Sequence, residues 1–330
     1  MGNKNLQKAR KKKSDEFYTQ LSDIERELKH YKKHFKGKVV YCNCDDPRVS
    51  NFFHYFSYNF EYLGLKKLIA TCYKSQNVDL FSQNDSEQAI YLEYSGDKNG
   101  NNVPDPNEIG IKPLKGDGDF RSAECIKLLK EADIVVTNPP FSLFREYVEQ
   151  LIEYDKKFII IGNKNAISYQ ELFKLFKEDK MWIGNTSMST DLLFDVTDEF
   201  AKELVETKKE GSGYKIINGT IKARAQAVWF TNLEIDKRYE DLILYKKYSE
   251  EEYLHYDNYD AINVNKTKDI PLDFNGKMGV PITFLNVYNP KQFEILGHLA
   301  STNINEFNFG YPYINGKRIY ARIIIKNKRL

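Results

Sequence analysis

Short runs of apolar, β-branched residues recur along the first 245 positions of the chain, and each run predicts a buried β-strand. Turn-forming residues and prolines bound the runs, and the interior of a sheet does not accept proline. The predicted strands are Lys38–Cys42, Leu68–Tyr73, Ala89–Tyr94, Ala132–Thr137, Phe158–Ile161, Gln226–Thr231 and Leu242–Tyr245.

Between several of these strands, apolar residues return at every third or fourth position, which is the spacing of an amphipathic helix. Strands that alternate with helices predict an α/β fold with a doubly wound, mostly parallel sheet. The predicted helices run from Ile24 to about Lys33, along Val49, Phe52, Phe53 and Phe56, over Ser122–Lys130, and along Phe144, Tyr147, Val148, Leu151 and Ile152.

The pattern changes after about Lys246, where Tyr, Asn, Asp, Gly and Pro become frequent and the regular spacing is lost. One helix is predicted in this part, over Lys291–Ala300. Residues 74–115 are also rich in loop-forming residues and predict surface insertions. The chain is therefore expected to form one large α/β domain followed by a smaller, loop-rich lobe.

The composition agrees with this division. A chain of 330 residues with 41% hydrophobic content can bury a large core and a second lobe. No apolar run reaches the length of a membrane span and the charged N-terminus is unlike a signal peptide, so we expect a cytoplasmic protein. The four cysteines lack the spacing of a zinc site, so no metal is expected.

Basic residues are concentrated near the N-terminus, although the net charge of the chain is only +2. The cluster begins at Lys4 and ends with Lys11, Lys12 and Lys13. A terminal charge run is most often a solvated tail, but a basic arm can also attract phosphates without being ordered. We predict that residues 1–13 form such an arm for nucleic acid.

The strongest candidate for chemistry is the segment Asn138-Pro139-Pro140-Phe141, which lies between a predicted strand and a predicted helix. Ligands of open α/β sheets bind at this end of the strands. The side-chain oxygen of Asn138 and the carbonyl of Pro139 can accept hydrogen bonds from an exocyclic amine and turn its lone pair toward a methyl donor. Phe141 offers a ring on which an extruded base can stack. Asn-Pro-Pro alone is more often a simple turn.

Two further turns predict a site for a methyl donor, and S-adenosylmethionine fits this layout. The polar turn Asn43-Cys44-Asp45-Asp46 follows the first strand, and Asp119-Phe120 closes a second turn. Either turn alone is as well explained by a helix N-terminal charge. Residues 43–50 contain no glycine, although such loops commonly do. Phe17, Tyr18 and Thr19 are expected to close over the methionine part of the donor.

Four segments of the chain resemble the EcoRI-type adenine-specific DNA methyltransferases. The resemblance implies a class I, Rossmann-like methyltransferase fold in the gamma arrangement, with S-adenosylmethionine as cofactor and N6-methylation of a flipped adenine in duplex DNA. It places the adenine target at Asn138–Phe141, the cofactor adenine at Asp119-Phe120 and the methionine part at residues 17–19 and 43–46. The segments are Ser14–Thr19, Tyr41–Pro47, Gly116–Ser122 and Asn138–Phe141.

The resemblance also suggests a domain organisation and a target. We expect a catalytic domain over residues 14–245, with an insertion at about 184–225, and a target-recognition region over residues 246–330. GAATTC, methylated at the inner adenine, is the implied target. Asn and Lys side chains suit contacts to base edges and phosphates, and the segment Asp257–Lys268 is rich in them. The candidate DNA contacts there are Asn263, Asn265, Lys266 and Lys268.

Several alternatives remain open at the level of sequence. The same Asn-Pro-Pro chemistry serves methylation of adenine in RNA and of glutamine in proteins, whereas N4-cytosine enzymes usually carry Ser or Asp at position 138. The chain could also be an inactive DNA-binding protein. For the main hypothesis we expect duplex DNA as partner, a restriction endonuclease that acts separately, a monomeric state, and a bacterial cell or phage-infected host.

Overall fold

The computed structural model describes residues 18–44, 50–72, 89–101, 104–105 and 108–330, with Tyr18 described through its backbone only. The chain divides into two compact units. The first contains the described residues up to Lys164 together with Thr190–Leu233, and the second contains Asn165–Ser189 and Glu234–Leu330. The predicted boundaries after residues 13 and 245 stay predictions. Among the described residues, no helix is long and apolar enough to span a membrane.

The first unit is built on a mixed β-sheet whose strands lie side by side in the order β5-β4-β3-β2-β6-β7-β12. The strands are β2 (Val39–Cys42), β3 (Lys67–Thr71), β4 (Ile90–Tyr94), β5 (Gly110–Pro113), β6 (Ile134–Thr137), β7 (Lys157–Asn163) and β12 (Ala227–Thr231). Strands β3, β2, β6 and β7 are parallel to one another. Every residue of β2 and β6 is buried, as expected for parallel strands that are covered on both faces.

The expectation of an α/β fold is confirmed, but the sheet is only partly parallel. Strand β4 pairs antiparallel with β3, and β5 pairs antiparallel with β4. On the other side, β12 pairs antiparallel with β7. The parallel strands therefore occupy the centre, and their carboxyl ends share one edge of the sheet.

Helices cover this sheet as the apolar stripes predicted. They are α1 (Leu21–Leu28), α2 (Lys32–Phe35), α3 (Asn51–Tyr58), α4 (Phe60–Leu63), α5 (Ala123–Glu131) and α6 (Phe144–Glu153). Another helix of the first unit, α8 (Asp198–Thr207), lies against a smaller sheet of the same unit. The hydroxyl of Ser122 caps α5 by accepting a hydrogen bond from the Cys125 backbone. Aromatic rings fill the core between the layers; Phe52 meets Trp229 edge-on and Phe144 contacts Phe230.

The smaller sheet of the first unit takes three of its four strands from the predicted insertion. Its strands are ordered β1-β9-β11-β10 and every pair is antiparallel. Asp191 anchors this region through ion pairs with Lys215 at 2.8 Å and Arg224 at 2.7 Å. The strands are β1 (Tyr18–Thr19), β9 (Leu192–Asp195), β10 (Tyr214–Ile217) and β11 (Thr220–Ala225).

The second unit contains a four-stranded sheet in the order β13-β14-β18-β15, so the predicted loop-rich lobe has an ordered centre. Its elements are α7 (Gln170–Lys177), β8 (Trp182–Ile183), β13 (Ile262–Asn263), β14 (Met278–Pro281), β15 (Phe293–Leu299), β16 (Tyr313–Ile314), β17 (Lys317–Arg318) and β18 (Arg322–Asn327). In the described part of the chain, the short 3-10 helices are Lys29–Tyr31, Phe141–Leu143, Lys164–Ser168, Asp236–Tyr239, Thr267–Asp269 and Ile282–Val287.

Two predicted elements in this part of the chain are wrong. The predicted helix Lys291–Ala300 is the strand β15, which pairs with the apolar strand β18 and buries Phe293 and Ile295 while Glu294 stays exposed. The predicted strand Leu242–Tyr245 pairs with no strand in the described part of the chain. Instead, the side-chain amide of Gln292 bonds to both the N–H and the carbonyl of Leu242, at 2.8 Å each, which satisfies backbone groups that a neighbouring strand would otherwise pair.

Candidate active site and DNA-contact residues

The Asn138–Phe141 loop directly follows β6 and leads into α6. Asn138 is buried, with 8% of its surface exposed, and Phe141 is partly exposed. Leu143 donates to the carbonyl of Pro140 at 3.0 Å, so the chain turns tightly before the helix begins. A Cβ at Gly162 on β7 would lie 2.4 Å from the ring of Phe144, so the absence of a side chain there lets α6 approach the sheet closely.

The turn after β2 is tied to the end of β6. The hydroxyl of Thr137, the residue before Asn138, donates to the carbonyl of Asn43, and the hydroxyl of Tyr147 on α6 donates to the side-chain oxygen of Asn43. Cys44 has a φ of 82°, a conformation that favours glycine and is strained for a residue with a side chain. The loop thus adopts a glycine-like path without a glycine. Asp45 and Asp46 lie outside the described residues.

The loop that carries Asp119 and Phe120 is brought to the end of β3 by Gly118. Gly118 has a φ of 76°, and a Cβ there would lie 2.1 Å from the carbonyl oxygen of Cys72, just past that strand. Only glycine fits so close to a backbone oxygen at positive φ. The loop predicted to hold the adenine of the donor therefore lies beside the carboxyl ends of the parallel strands.

Asp119 is already engaged by a cation in this structure. Arg121 donates to its carboxylate through Nε at 2.8 Å and Nη2 at 2.6 Å, and it also pairs with Glu146 of α6 at 3.1 Å. Hydrogen bonding to the Asp119 carboxylate raises the pKa of Arg121 above its already high ordinary value, so the guanidinium stays charged. A ligand amine at Asp119 would share this carboxylate with Arg121.

Tyr147 connects the three turns. Its ring meets Phe120 edge-on at 5.1 Å, its hydroxyl bonds to Asn43, and it lies on the helix that follows Asn138. Phe120 is itself only 7% exposed, so little of its surface is available to a ligand. Burial raises the pKa of Tyr147 well above its ordinary value, which keeps the hydroxyl protonated and able to donate.

Thr19 places a buried hydroxyl at the predicted methionine site. Its hydroxyl is buried and, among the described residues, makes no hydrogen bond. Its carbonyl accepts from Asn51 Nδ2 at 2.8 Å, which holds β1 against the first residue of α3. A buried hydroxyl without a partner is unfavourable unless a ligand or water completes it. Tyr18 pairs with Asp195 through its backbone, and Phe17 lies outside the described residues.

The predicted DNA contacts fall into two groups. Asn265, Lys266 and Lys268 are exposed on the second unit. Asn263 is buried instead, because its side-chain oxygen accepts from Tyr256 at 3.0 Å and from Arg322 at 3.1 Å. A base contact by Asn263 would require this network to open. Lys11, Lys12 and Lys13 lie outside the described residues.

Sequence reasoning missed Tyr147, Thr137 and Arg121 as parts of the site. In the sequence Tyr147 is one member of an apolar helix stripe, and nothing there distinguishes a tyrosine of the site from an ordinary core residue. Arg121 did carry a signal, since it lies two residues after a predicted ligand carboxylate. Within the described part of the chain, no group of three or more His, Cys, Asp or Glu side chains is arranged to hold a metal.

Comparison with known proteins gives consistent matches over the full chain. The sequence matches the family described as "Adenine-specific methyltransferase EcoRI" over residues 5–328. It is 52% identical to the Type II methyltransferase M.EcoRI of Escherichia coli over 330 residues, which covers 99% of this chain and 98% of that protein. It is 40% identical to M.MpnI of Mycoplasma pneumoniae and to M.MgeORF184P of Mycoplasma genitalium, with 98% of each chain covered. No solved structure matches the chain.

Proposed function

The chain belongs to the family of EcoRI adenine-specific methyltransferases, and we propose that it transfers a methyl group from S-adenosylmethionine to N6 of an adenine turned out of duplex DNA. It is a type II adenine-specific DNA methyltransferase of the EcoRI family. The observation that supports the proposed reaction is that Tyr147 joins three turns at one edge of the sheet. This arrangement is compatible with a class I methyltransferase fold.

The residues present fit the cofactor. The buried Thr19 hydroxyl lacks a partner among the described residues, the Asn43-Cys44 turn follows a glycine-like path at the end of β2, and Asp119 offers an acceptor for an adenine amine. When bound, S-adenosylmethionine supplies a methyl group on a positively charged sulfur. The role of the chain is to bind this donor and to hold the target amine in line with it.

Asn138 is proposed to orient the target amine. Its side-chain oxygen and the carbonyl of Pro139 accept the two N6 hydrogens, and this directs the nitrogen lone pair toward the donor. Because Asn138 is 8% exposed, these hydrogen bonds would be shielded from water. An amide does not take up a proton near neutral pH, so the proton that N6 loses on methylation passes to solvent rather than to Asn138.

Replacement of Asn138 tests this proposal. Asn138→Ala should abolish methyl transfer and leave the affinities for S-adenosylmethionine and for DNA nearly unchanged. The control is Asn99→Ala, which removes an exposed amide of the first unit and should keep full activity. Transfer of tritiated methyl groups to duplex DNA measures the rate. Substantial turnover by Asn138→Ala would remove Asn138 from the mechanism.

Phe141 is proposed to stack on the extruded adenine, because its ring is partly exposed at the end of the Asn138 loop. Phe141→Ala should lose stacking of about 1–3 kcal/mol, whereas Phe141→Trp should keep most of it. A 2-aminopurine at the target position reports extrusion by its fluorescence. Equal fluorescence with wild type and Phe141→Ala would contradict stacking.

The proposed target is the inner adenine of GAATTC. The support is the 52% identity with M.EcoRI over nearly the whole of both chains. DNA methylated by this protein should resist the EcoRI nuclease. Cutting at every site, despite 6-methyladenine elsewhere in the same DNA, would refute the shared target and leave the adenine methyltransferase activity intact. We further propose that the protein acts as a monomer, separately from any cognate nuclease, in a bacterial cell or phage-infected host.

A further inference from the structure

Two short antiparallel strands of the second unit form a β-hairpin. Strands β16 and β17 are joined by Asn315-Gly316, which have φ values of 51° and 71° and so match the two-residue turn that tight hairpins favour. The carboxylate of Asp257 caps this turn, accepting from the N–H of Asn315 at 3.0 Å and from that of Gly316 at 2.8 Å. The turn is therefore fixed by a side chain from a distant part of the sequence.

The strands of the hairpin are also anchored. The carbonyl of Tyr313 accepts from the Asp257 backbone at 2.9 Å, and the Asn258 amide donates to the carbonyl of Tyr311, also at 2.9 Å. Ile314 and Ile319 pack against the apolar cluster of Tyr256, Ala261, Leu299 and Ile324. One side of the hairpin is thus held by the core of the unit, and its other side chains stay outside.

The exposed side chains of the hairpin are basic and aromatic. Lys317 and Arg318 are exposed, and Tyr320 just beyond them is 87% exposed. From Phe307 to Leu330 the chain contains no Asp or Glu and six basic residues, which are Lys317, Arg318, Arg322, Lys326, Lys328 and Arg329. The nearby carboxylate of Asp257 keeps its negative charge, and its oxygens face the backbone N–H groups of the hairpin turn. Arg322 is buried and Arg329 is paired with Asp241, so the exposed basic pair of the hairpin is Lys317 and Arg318, which suits contact with a polyanion.

Arg318 is held in a defined orientation without an acidic partner. Its guanidinium lies over the ring of Tyr311, 4.0 Å from the centroid. Among the residues that the structure describes, no carboxylate lies within ion-pair distance of Arg318, whereas Arg329 and Arg238 are both paired with acids. Stacking restricts the plane of the guanidinium and leaves its edge of N–H donors available.

We propose that the hairpin Tyr313–Arg318 enters the major groove of duplex DNA and that Arg318 recognises a guanine of the target site. A two-stranded ribbon fits the major groove, and a planar arginine fork pairs with O6 and N7 of guanine. The presence of duplex DNA at this surface rests on the proposed function. Lys317 beside it would contact phosphate, which adds affinity without sequence information.

Arg318→Ala is the test, and Lys291→Ala is the matched control. Lys291 is an exposed cation of the same unit that lies over Tyr239, with 4.7 Å between its Nζ and the ring centroid, but it is not on the hairpin. First, the methylated motif of the wild-type protein is determined by sequencing. Then kcat/KM is measured on duplexes in which each base pair of that motif is replaced in turn. Both substitutions are at exposed positions, so both variants are expected to fold.

The expected result for Arg318→Ala is loss of discrimination at one G·C pair by about tenfold to a hundredfold, with discrimination at the other pairs retained. Lys291→Ala should discriminate like wild type. A uniform change of kcat/KM on all duplexes, or no change, would overturn recognition of guanine by Arg318. If wild type fails to methylate adenine in any duplex, the proposed function fails instead.

A second measurement tests the hairpin rather than one side chain. Hydrogen–deuterium exchange of the full-length protein should show DNA-dependent protection of residues 311–320 with a duplex that contains the motif. Asp257→Ala, which releases the turn cap, should relax the same G·C preference as Arg318→Ala. Exchange that DNA leaves unchanged across this segment would overturn the proposed groove contact.

Discussion

Tyr147 is the residue whose removal should disturb the candidate cofactor site most selectively. Tyr147→Phe keeps the ring on Phe120 but removes the hydrogen bond to the Asn43 side chain. The turn after β2 would then be held less firmly, so we expect the affinity for S-adenosylmethionine to fall by about fivefold to tenfold, equivalent to roughly 1 kcal/mol. Isothermal titration calorimetry measures this change.

The control for Tyr147 is Tyr31→Phe, which removes another fully buried tyrosine hydroxyl of the same unit. The Tyr31 hydroxyl donates to Glu27 at 2.7 Å, away from the three turns. Both variants should lower stability, but only Tyr147→Phe should weaken cofactor binding. Equal effects of the two substitutions on cofactor affinity would show that the hydrogen bond of Tyr147 to Asn43 has no specific role in cofactor binding.

His298 should make the stability of the second unit depend on pH. Burial lowers its pKa to about 4, its ring lies 4.2 Å from that of Phe173, and its Nδ1 makes no hydrogen bond among the described residues. The folded state keeps the imidazole neutral, while the unfolded state takes up a proton below about pH 6.5. The free energy of unfolding should therefore fall by roughly 1.4 kcal/mol per unit as the pH drops from 6.5 toward 4.

Urea unfolding at several pH values measures this dependence, and His298→Leu removes the titrating group. The difference in stability between His298→Leu and wild type should move in favour of the variant as the pH falls. Carboxylates titrate in both proteins, so the difference isolates the histidine. A difference that stays constant between pH 7 and pH 4.5 would contradict the lowered pKa.

At the residue scale, sequence alone could locate the candidate side chains but not their partners. Asn138 and Asp119 could be singled out because they follow or flank predicted elements. Their surroundings depend on contacts between residues far apart in sequence, such as the hydrogen bond of Tyr147 to Asn43. Asn263 shows the same limit, because the sequence gives a side chain of suitable type but does not reveal its burial against Tyr256 and Arg322.

At the scale of elements, Gly118 determines the path of the Asp119 loop. In Gly118→Ala the new Cβ would lie 2.1 Å from the Cys72 carbonyl, and the φ of 76° would be strained, so the loop must move. We expect at least a tenfold loss of affinity for S-adenosylmethionine, roughly 1.4 kcal/mol. Gly116→Ala is the control, since its Cβ would lie 3.5 Å from Glu124 and meet only an ordinary contact.

Calorimetry with S-adenosylmethionine compares the two glycine variants, and circular dichroism checks that both are folded. The loss of affinity should be confined to Gly118→Ala. Normal cofactor affinity in a folded Gly118→Ala protein would mean that the position of the Asp119 loop is not needed for binding.

Sequence periodicity predicted the central elements well and the second unit poorly. Strands β2, β6 and β7 are continuous apolar runs, because parallel strands covered on both faces have no polar side. The apolar residues of Phe293–Leu299 are spaced in a way that fits a helix as well as a strand. This segment forms a strand because it pairs with the distant β18. Likewise, β4 runs antiparallel to its neighbour β3, and the periodicity of a strand does not reveal its direction in the sheet.

At the scale of the whole molecule, the division into units does not follow the order of the sequence. Asn165–Ser189 belongs with the C-terminal part, and Thr190–Leu233 returns to the first unit. No shift of composition marks the boundaries of these two segments, because both contain ordinary elements with buried apolar faces such as α7 and β9. A boundary drawn by composition at about residue 245 could not anticipate this discontinuity.

The basic arm at residues 1–13 should affect the whole enzyme through long-range electrostatics rather than through base recognition. Clustered lysines are flexible point charges that attract phosphates but do not distinguish bases. Deletion of residues 2–13 should weaken DNA binding and flatten the slope of log Kd against log salt concentration by about 0.9 for each phosphate that the arm neutralises in the full-length protein. The methylated motif should stay the same.

A full-length variant separates the charge of the arm from its length. Replacing the six basic residues Lys4, Lys8, Arg10, Lys11, Lys12 and Lys13 by Gln keeps the chain but removes its positive charge. It should flatten the salt dependence as much as the deletion does, because counterion release follows the number of charges that meet phosphates. Filter binding over a salt series measures the slope, and sequencing of methylated DNA reports the motif. A changed motif in either variant would mean that the arm reads bases, since weaker phosphate attraction lowers the affinity for all sequences alike.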